Sequence, residues 1–116
     1  MGGLEIGPEQ FEELVSDALD LIPEDLARKM DNVAVVVDHR APPGDLLGLY
    51  EGVPLTERES YGGMVMPDRI TIFRRSILDM CDSAEEVVEE VRHTVVHEVA
   101  HHFGIDDDRL TELGWD

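Results

Sequence analysis

The residues best equipped for chemistry lie in one stretch, His97-Glu98-Val99-Ala100-His101-His102-Phe103-Gly104-Ile105-Asp106-Asp107. His97 and His101 are four apart, which on an α-helix puts both imidazoles on one face about one turn apart. At that spacing two neutral imidazole nitrogens can reach a single zinc ion at about 2.0–2.1 Å. Glu98 is rotated by roughly 100° from His97. Its carboxylate therefore stands beside the ion rather than on it, where it can act as general base toward water on the metal. Gly104 suits the left-handed residue that ends a helix and turns the chain back. Asp107, six residues beyond His101, can then return a carboxylate and close a three-ligand site with its fourth position open. Two imidazoles and one carboxylate make Zn2+ the expected cofactor, and cobalt or nickel could take the same geometry in vitro.

The neighbouring polar residues have competing readings. His93 lies one turn before His97, but each step of four residues advances about 40° around a helix, so three ligands on one straight helix converge poorly. A supporting or surface role suits it better. His102 points about 100° away from His101 and reads as a packed or solvated histidine. Asp106 and Asp108 match Asp107 in chemistry; spacing favours Asp107, and one of the others could cap a short final helix. HExxH alone is a short pattern that arises by chance, so the bland alternative is a polar helix face followed by an acidic turn.

The elements that must position these groups are legible in outline. Ser83-Ala84-Glu85-Glu86 matches a capping box, opening a helix that runs to about Phe103, with Val87, Val88, Val91, Val95, Val99 and Phe103 on its apolar face. Phe11, Leu14, Val15, Ala18, Leu19, Ile22 and Leu26 recur at helical intervals over 8–30. Pro23 should break that helix. Val33 to Val37 reads as a buried strand, and the alternation Arg69-Ile70-Thr71-Ile72-Phe73 as a second. That second strand is open to two readings, an exposed edge able to pair with an extended peptide or an interior strand that only packs. Residues 40–66, rich in Pro and Gly, read as a loop that either lines a cleft or covers surface, with a short strand around Leu46 to Glu51. Arg58 and Tyr61 in this loop could reach the cleft, but their spacing gives no reason to count them as catalytic. The expected fold is α+β, a small mixed β-sheet packed against an N-terminal helix and the HExxH helix.

A chain of 116 residues suits a single domain spanning 1–116, with no room for a separate substrate-binding lobe. Nine basic residues against 27 acidic ones give a net charge of −18, which disfavours nucleic acid and anionic membranes as partners. Cys81 is the only cysteine, which excludes an internal disulfide and a thiolate-rich zinc site; an ordinary small residue is its expected role. No signal-like or membrane-spanning run is present, so a soluble, cytoplasmic protein is expected.

His97 through Asp107 reads HExxHxxGxxD and resembles the zincin clan, specifically a metzincin-like branch with Asp as third ligand. The chain as a whole resembles the small bacterial minimal zincins, through Leu47-Gly48-Leu49-Tyr50-Glu51-Gly52 and Pro67-Asp68-Arg69-Ile70-Thr71-Ile72-Phe73 as well, from about Phe11 onward. The resemblance implies His97, His101 and Asp107 as zinc ligands and Glu98 as catalytic acid/base of a metallopeptidase. Unlike the longer metzincins, the nine residues after Asp107 hold no Met. The expected function is hydrolysis of peptide bonds in a peptide or protein substrate, with low activity at so open a site. The alternatives are a zinc-containing peptide- or protein-binding module with little turnover, and metal-dependent hydrolysis of a non-peptide substrate.

Overall fold

The computed structural model describes residues 4–40, 44, 46–52 and 67–115. Much of the expected loop over 40–66, with Arg58 and Tyr61, lies outside the described residues.

The first helix, α1 (Pro8–Leu19), starts with proline in its first turn, where no intrahelical N–H partner is needed, and buries Phe11, Val15 and Ala18. Pro23 ends the periodic stretch and becomes the N-cap of α2 (Glu24–Ala27), which tightens into a 3-10 turn over Arg28–Met30. Three strands follow among the described residues: β1 (Val33–Asp38), β2 (Gly48–Glu51) and β3 (Asp68–Phe73). They form one mixed sheet in the order β1-β3-β2, with β1 parallel and β2 antiparallel to β3. The order settles both strand readings. β3 is the interior strand, with Ile70 and Ile72 fully buried. β1, expected to be buried, is only half-buried and exposes Val36, because it has a neighbour on one side among the described residues.

The chain then forms α3 (Arg74–Met80), α4 (Ala84–His102) and α5 (Asp107–Leu113). Ser83 caps α4, its hydroxyl accepting from the Glu86 N–H at 3.2 Å. The Glu86 carboxylate reaches back to the Asp82 N–H at 3.4 Å, one residue earlier than a standard capping box directs it. Val87, Val91, Val95, Val96 and Val99 are fully buried, each burial worth about 1.5–3 kcal/mol. α1 packs on one flank of α4 and β2 on another, so α4 is the spine of an α+β domain. One core cluster joins Ile6, the α1 residues, β3, α4 and Leu110. No helix among the described residues is long and apolar enough to cross a membrane.

Candidate metal centre

The end of α4 is shaped by its last carbonyls. The Gly104 N–H donates to the His101 carbonyl at 3.1 Å and the Ile105 N–H to the Ala100 carbonyl at 2.8 Å. This is a Schellman closure, and Gly104 takes the required left-handed conformation with φ +78°. The chain reverses and Asp106 starts α5, its carboxylate accepting from the Arg109 N–H at 2.9 Å. Asp106 is thus the N-cap, and Asp107 is the carboxylate that faces the histidines.

The Asp107 Oδ1 lies 3.1 Å from His101 Nε2 and 3.5 Å from His97 Nδ1. Ligand atoms of all three residues lie within 4.8 Å of one another. Neighbouring ligands on one tetrahedral zinc stand about 3.4 Å apart, as bond lengths near 2.1 Å require. Two nitrogens and a carboxylate oxygen at these separations fit that ion. His97 is the more sheltered imidazole, while His101 and Asp107 are exposed, leaving an approach from solvent.

His93 is outside this group and packs its ring on His97, with centroids 4.1 Å apart. Beside them is a cleft of about 260 Å³ lined by Leu46, Leu47, Gly48, His93, Thr94, His97 and Glu98. A larger hollow of about 570 Å³ lies on the outer face of the sheet, against Val36, Leu49, Arg69 and Thr71, and neither His97 nor His101 lines it. Glu98 is part-buried, and its Oε1 accepts a hydrogen bond from the Tyr50 N–H at 3.0 Å. His102 stacks on the Tyr50 ring, with centroids 4.0 Å apart and planes 17° from parallel.

The zincin-like metallopeptidase family model matches residues 30–115. The chain belongs to that family. No curated protein matches the chain. Among solved structures, a conserved hypothetical protein from Thermo thermophilus is similar at 27% identity and a TM-score of 0.53. The likeness covers 84% of this chain and 94% of that one. In this zincin-like chain the family match begins at Met30, so α1 precedes it.

The sequence reading placed His97, Glu98, His101 and Asp107 at the centre; the fold brings ligand atoms of His97, His101 and Asp107 within 4.8 Å of one another, and Glu98 lines the cleft beside His97. Missing from that reading was Tyr50 beside Glu98. The available signal was the period-two pattern Gly48-x-Tyr50-x-Gly52 opposite the period-four pattern Thr94, Glu98, His102.

Proposed function

We propose that the protein is a zinc-dependent peptidase in which His97, His101 and Asp107 hold the metal and Glu98 is the general base. The observation that carries this reading is the convergence of the three ligand atoms within 4.8 Å, with the Glu98 carboxylate on the adjoining face of the same helix. Bound there, zinc would supply Lewis-acid charge, polarising the scissile carbonyl and bringing the pKa of water toward about 7. Glu98 would accept a proton from the attacking water and deliver it to the leaving amine nitrogen as the C–N bond breaks. His93, packed on His97, would limit how that imidazole can turn. The exposed flank at His101 and Asp107 would admit a flexible peptide or protein segment and exclude water poorly, which favours slow turnover.

The test is metal content after purification without added metal, followed by cleavage of a quenched peptide library. Wild type is expected to carry near one zinc per chain. His101→Ala and Asp107→Ala should lose it, while Asp106→Ala should keep it and lose only about 1 kcal/mol of stability from the vacated cap. Glu98→Gln should retain zinc and lose cleavage by at least ~10²-fold, the scale of a lost general base. Zinc without Glu98-dependent cleavage would replace the peptidase with a zinc-containing binding module. Failure to bind any divalent metal on titration would remove the basis of both.

A further inference from the structure

β2 and α4 lie in step. Four residues of α-helix advance about 6 Å, and two residues of strand advance about 6.6–6.8 Å. Thr94, Glu98 and His102 therefore form a stripe on α4 whose spacing nearly equals that of Gly48 and Tyr50 in β2 and Gly52 just beyond it. The contacts follow this pairing. A Cβ added to Gly48 would sit 2.6 Å from Thr94 Cγ2, and one added to Gly52 would sit 3.6 Å from His102 Cε1. Between these close approaches, Tyr50 meets both Glu98 and His102.

Its main chain and its ring have different partners. The Leu47 carbonyl is turned toward β3, accepting from the Phe73 N–H at 3.0 Å. Main-chain groups alternate along an antiparallel strand, so the Tyr50 N–H is turned away from β3, and it donates to Glu98 Oε1 at 3.0 Å. The ring is fixed at both ends. Its hydroxyl donates to Asp68 Oδ2 at 2.7 Å, at the start of the central strand, and its face lies on His102. His102 Nε2 stands 3.8 Å from the same carboxylate oxygen.

We infer that Tyr50 is the positioning residue for Glu98: its clamped ring fixes the backbone N–H that holds one oxygen of the Glu98 carboxylate and leaves the other for proton transfer. This rests on the reading of Glu98 as the general base, but the contact itself is measurable without turnover. Tyr50 acts on the proton transfer through Glu98, to which its main-chain N–H donates. The metal stripe, His97 and His101, and the strand stripe, Glu98 and His102, lie side by side on one helix. Loosening Tyr50 therefore disturbs the base and spares the ligands.

The experiment compares wild type, Tyr50→Phe, Tyr50→Ala and Glu98→Ala as full chains. In metal-free protein, amide hydrogen exchange by NMR should show the residue-50 N–H protected in wild type. Glu98→Ala, which removes the acceptor, and Tyr50→Ala, which removes the clamp, should each speed its exchange by at least ~10-fold, on the scale of a lost hydrogen bond. The Val95 and Val96 amides, inside α4, should stay protected in every variant, which shows that the fold is intact. Zinc titration should give Tyr50→Phe and Tyr50→Ala affinities within about threefold of wild type, since Tyr50 bonds to Glu98 and Asp68 and stacks on His102. With a cleavable peptide, kcat should fall while KM holds, by about 10²-fold in Tyr50→Ala for a misplaced group and by less in Tyr50→Phe, which keeps the ring on His102. A wild-type residue-50 amide that exchanges as fast as in Glu98→Ala would overturn the inference, whatever the activity. So would a Tyr50→Ala protein with unchanged kcat. Absence of cleavage in wild type would count against the peptidase reading alone, and the exchange comparison would still decide whether Tyr50 holds Glu98.

Discussion

Asp106 and Asp107 are chemically identical neighbours with different tasks, divided by the direction in which each side chain leaves the turn. Asp106 satisfies the N–H of Arg109 at the start of α5, whereas Asp107 reaches back to His97 and His101. Spacing after Gly104 was enough to favour Asp107, because a helix C-terminus and the cap that follows are local and short-ranged. Cys81 is another residue whose behaviour is set by its surroundings. It is buried, and burial together with Glu90, Glu86 and Asp82 pushes its thiol from 9.0 up to about 11. The group is a neutral thiol at physiological pH, and only the thiolate is nucleophilic. At pH 8 iodoacetamide should leave the native protein unmodified and label it rapidly in urea. The folded pKa lies above the unfolded one, so the stability this thiol contributes is complete below about pH 9 and is lost as pH rises toward 11. Denaturant unfolding at pH 8 and pH 10.5 should show a larger loss in wild type than in Cys81→Ala.

Among the elements, α4 was legible from sequence because its signals are local: Ser83 at the cap, valines at helical intervals, Gly104 at the end. The placement of β2 was not, because pairing between strands and packing of a strand on a helix depend on residues far apart in the chain. Tyr50 and Glu98 are separated by 48 positions, and although each segment carries its own period, neither period says which segment it faces. β1 illustrates the same limit: five consecutive apolar residues, Val33 to Val37, look fully buried, yet among the described residues the sheet order puts them at an edge. The approach of β2 to α4 can be tested at its closest point. Gly48→Ala puts a methyl 2.6 Å from Thr94 Cγ2, and overpacking of this kind costs about 1–3 kcal/mol. Replacing Thr94 by Ser removes the offending methyl. The double variant Gly48→Ala/Thr94→Ser should recover part of the loss in a denaturant midpoint, a coupling that independent sites would not show. The remaining approach, 3.2 Å to the Thr71 carbonyl, prevents full recovery.

At the scale of the whole molecule, a net charge of −18 on 116 residues sets up self-repulsion that opposes compaction. The ion pairs at Arg28, Arg40 and Arg69 lie on the solvent-facing surface, where water and salt screen them and they contribute little. Screening should therefore help the fold more than it harms these pairs. Raising NaCl from ~0.01 M to ~1 M, which shortens the Debye length from about 30 Å to about 3 Å, should raise Tm by several degrees. A fall in Tm would mean that the surface pairs outweigh the repulsion. The two adjoining stripes on α4 also bear on how such proteins diverge. Under the proposed roles, a lineage that drifts at Gly48, Tyr50 or Gly52 would lose turnover while His97, His101 and Asp107 stay in place, leaving a protein that stores or senses a metal without cutting anything. On the same proposal, an intact HExxHxxGxxD in a relative of this chain speaks for the metal alone, and the short strand opposite the helix has to be read beside it before cleavage is inferred.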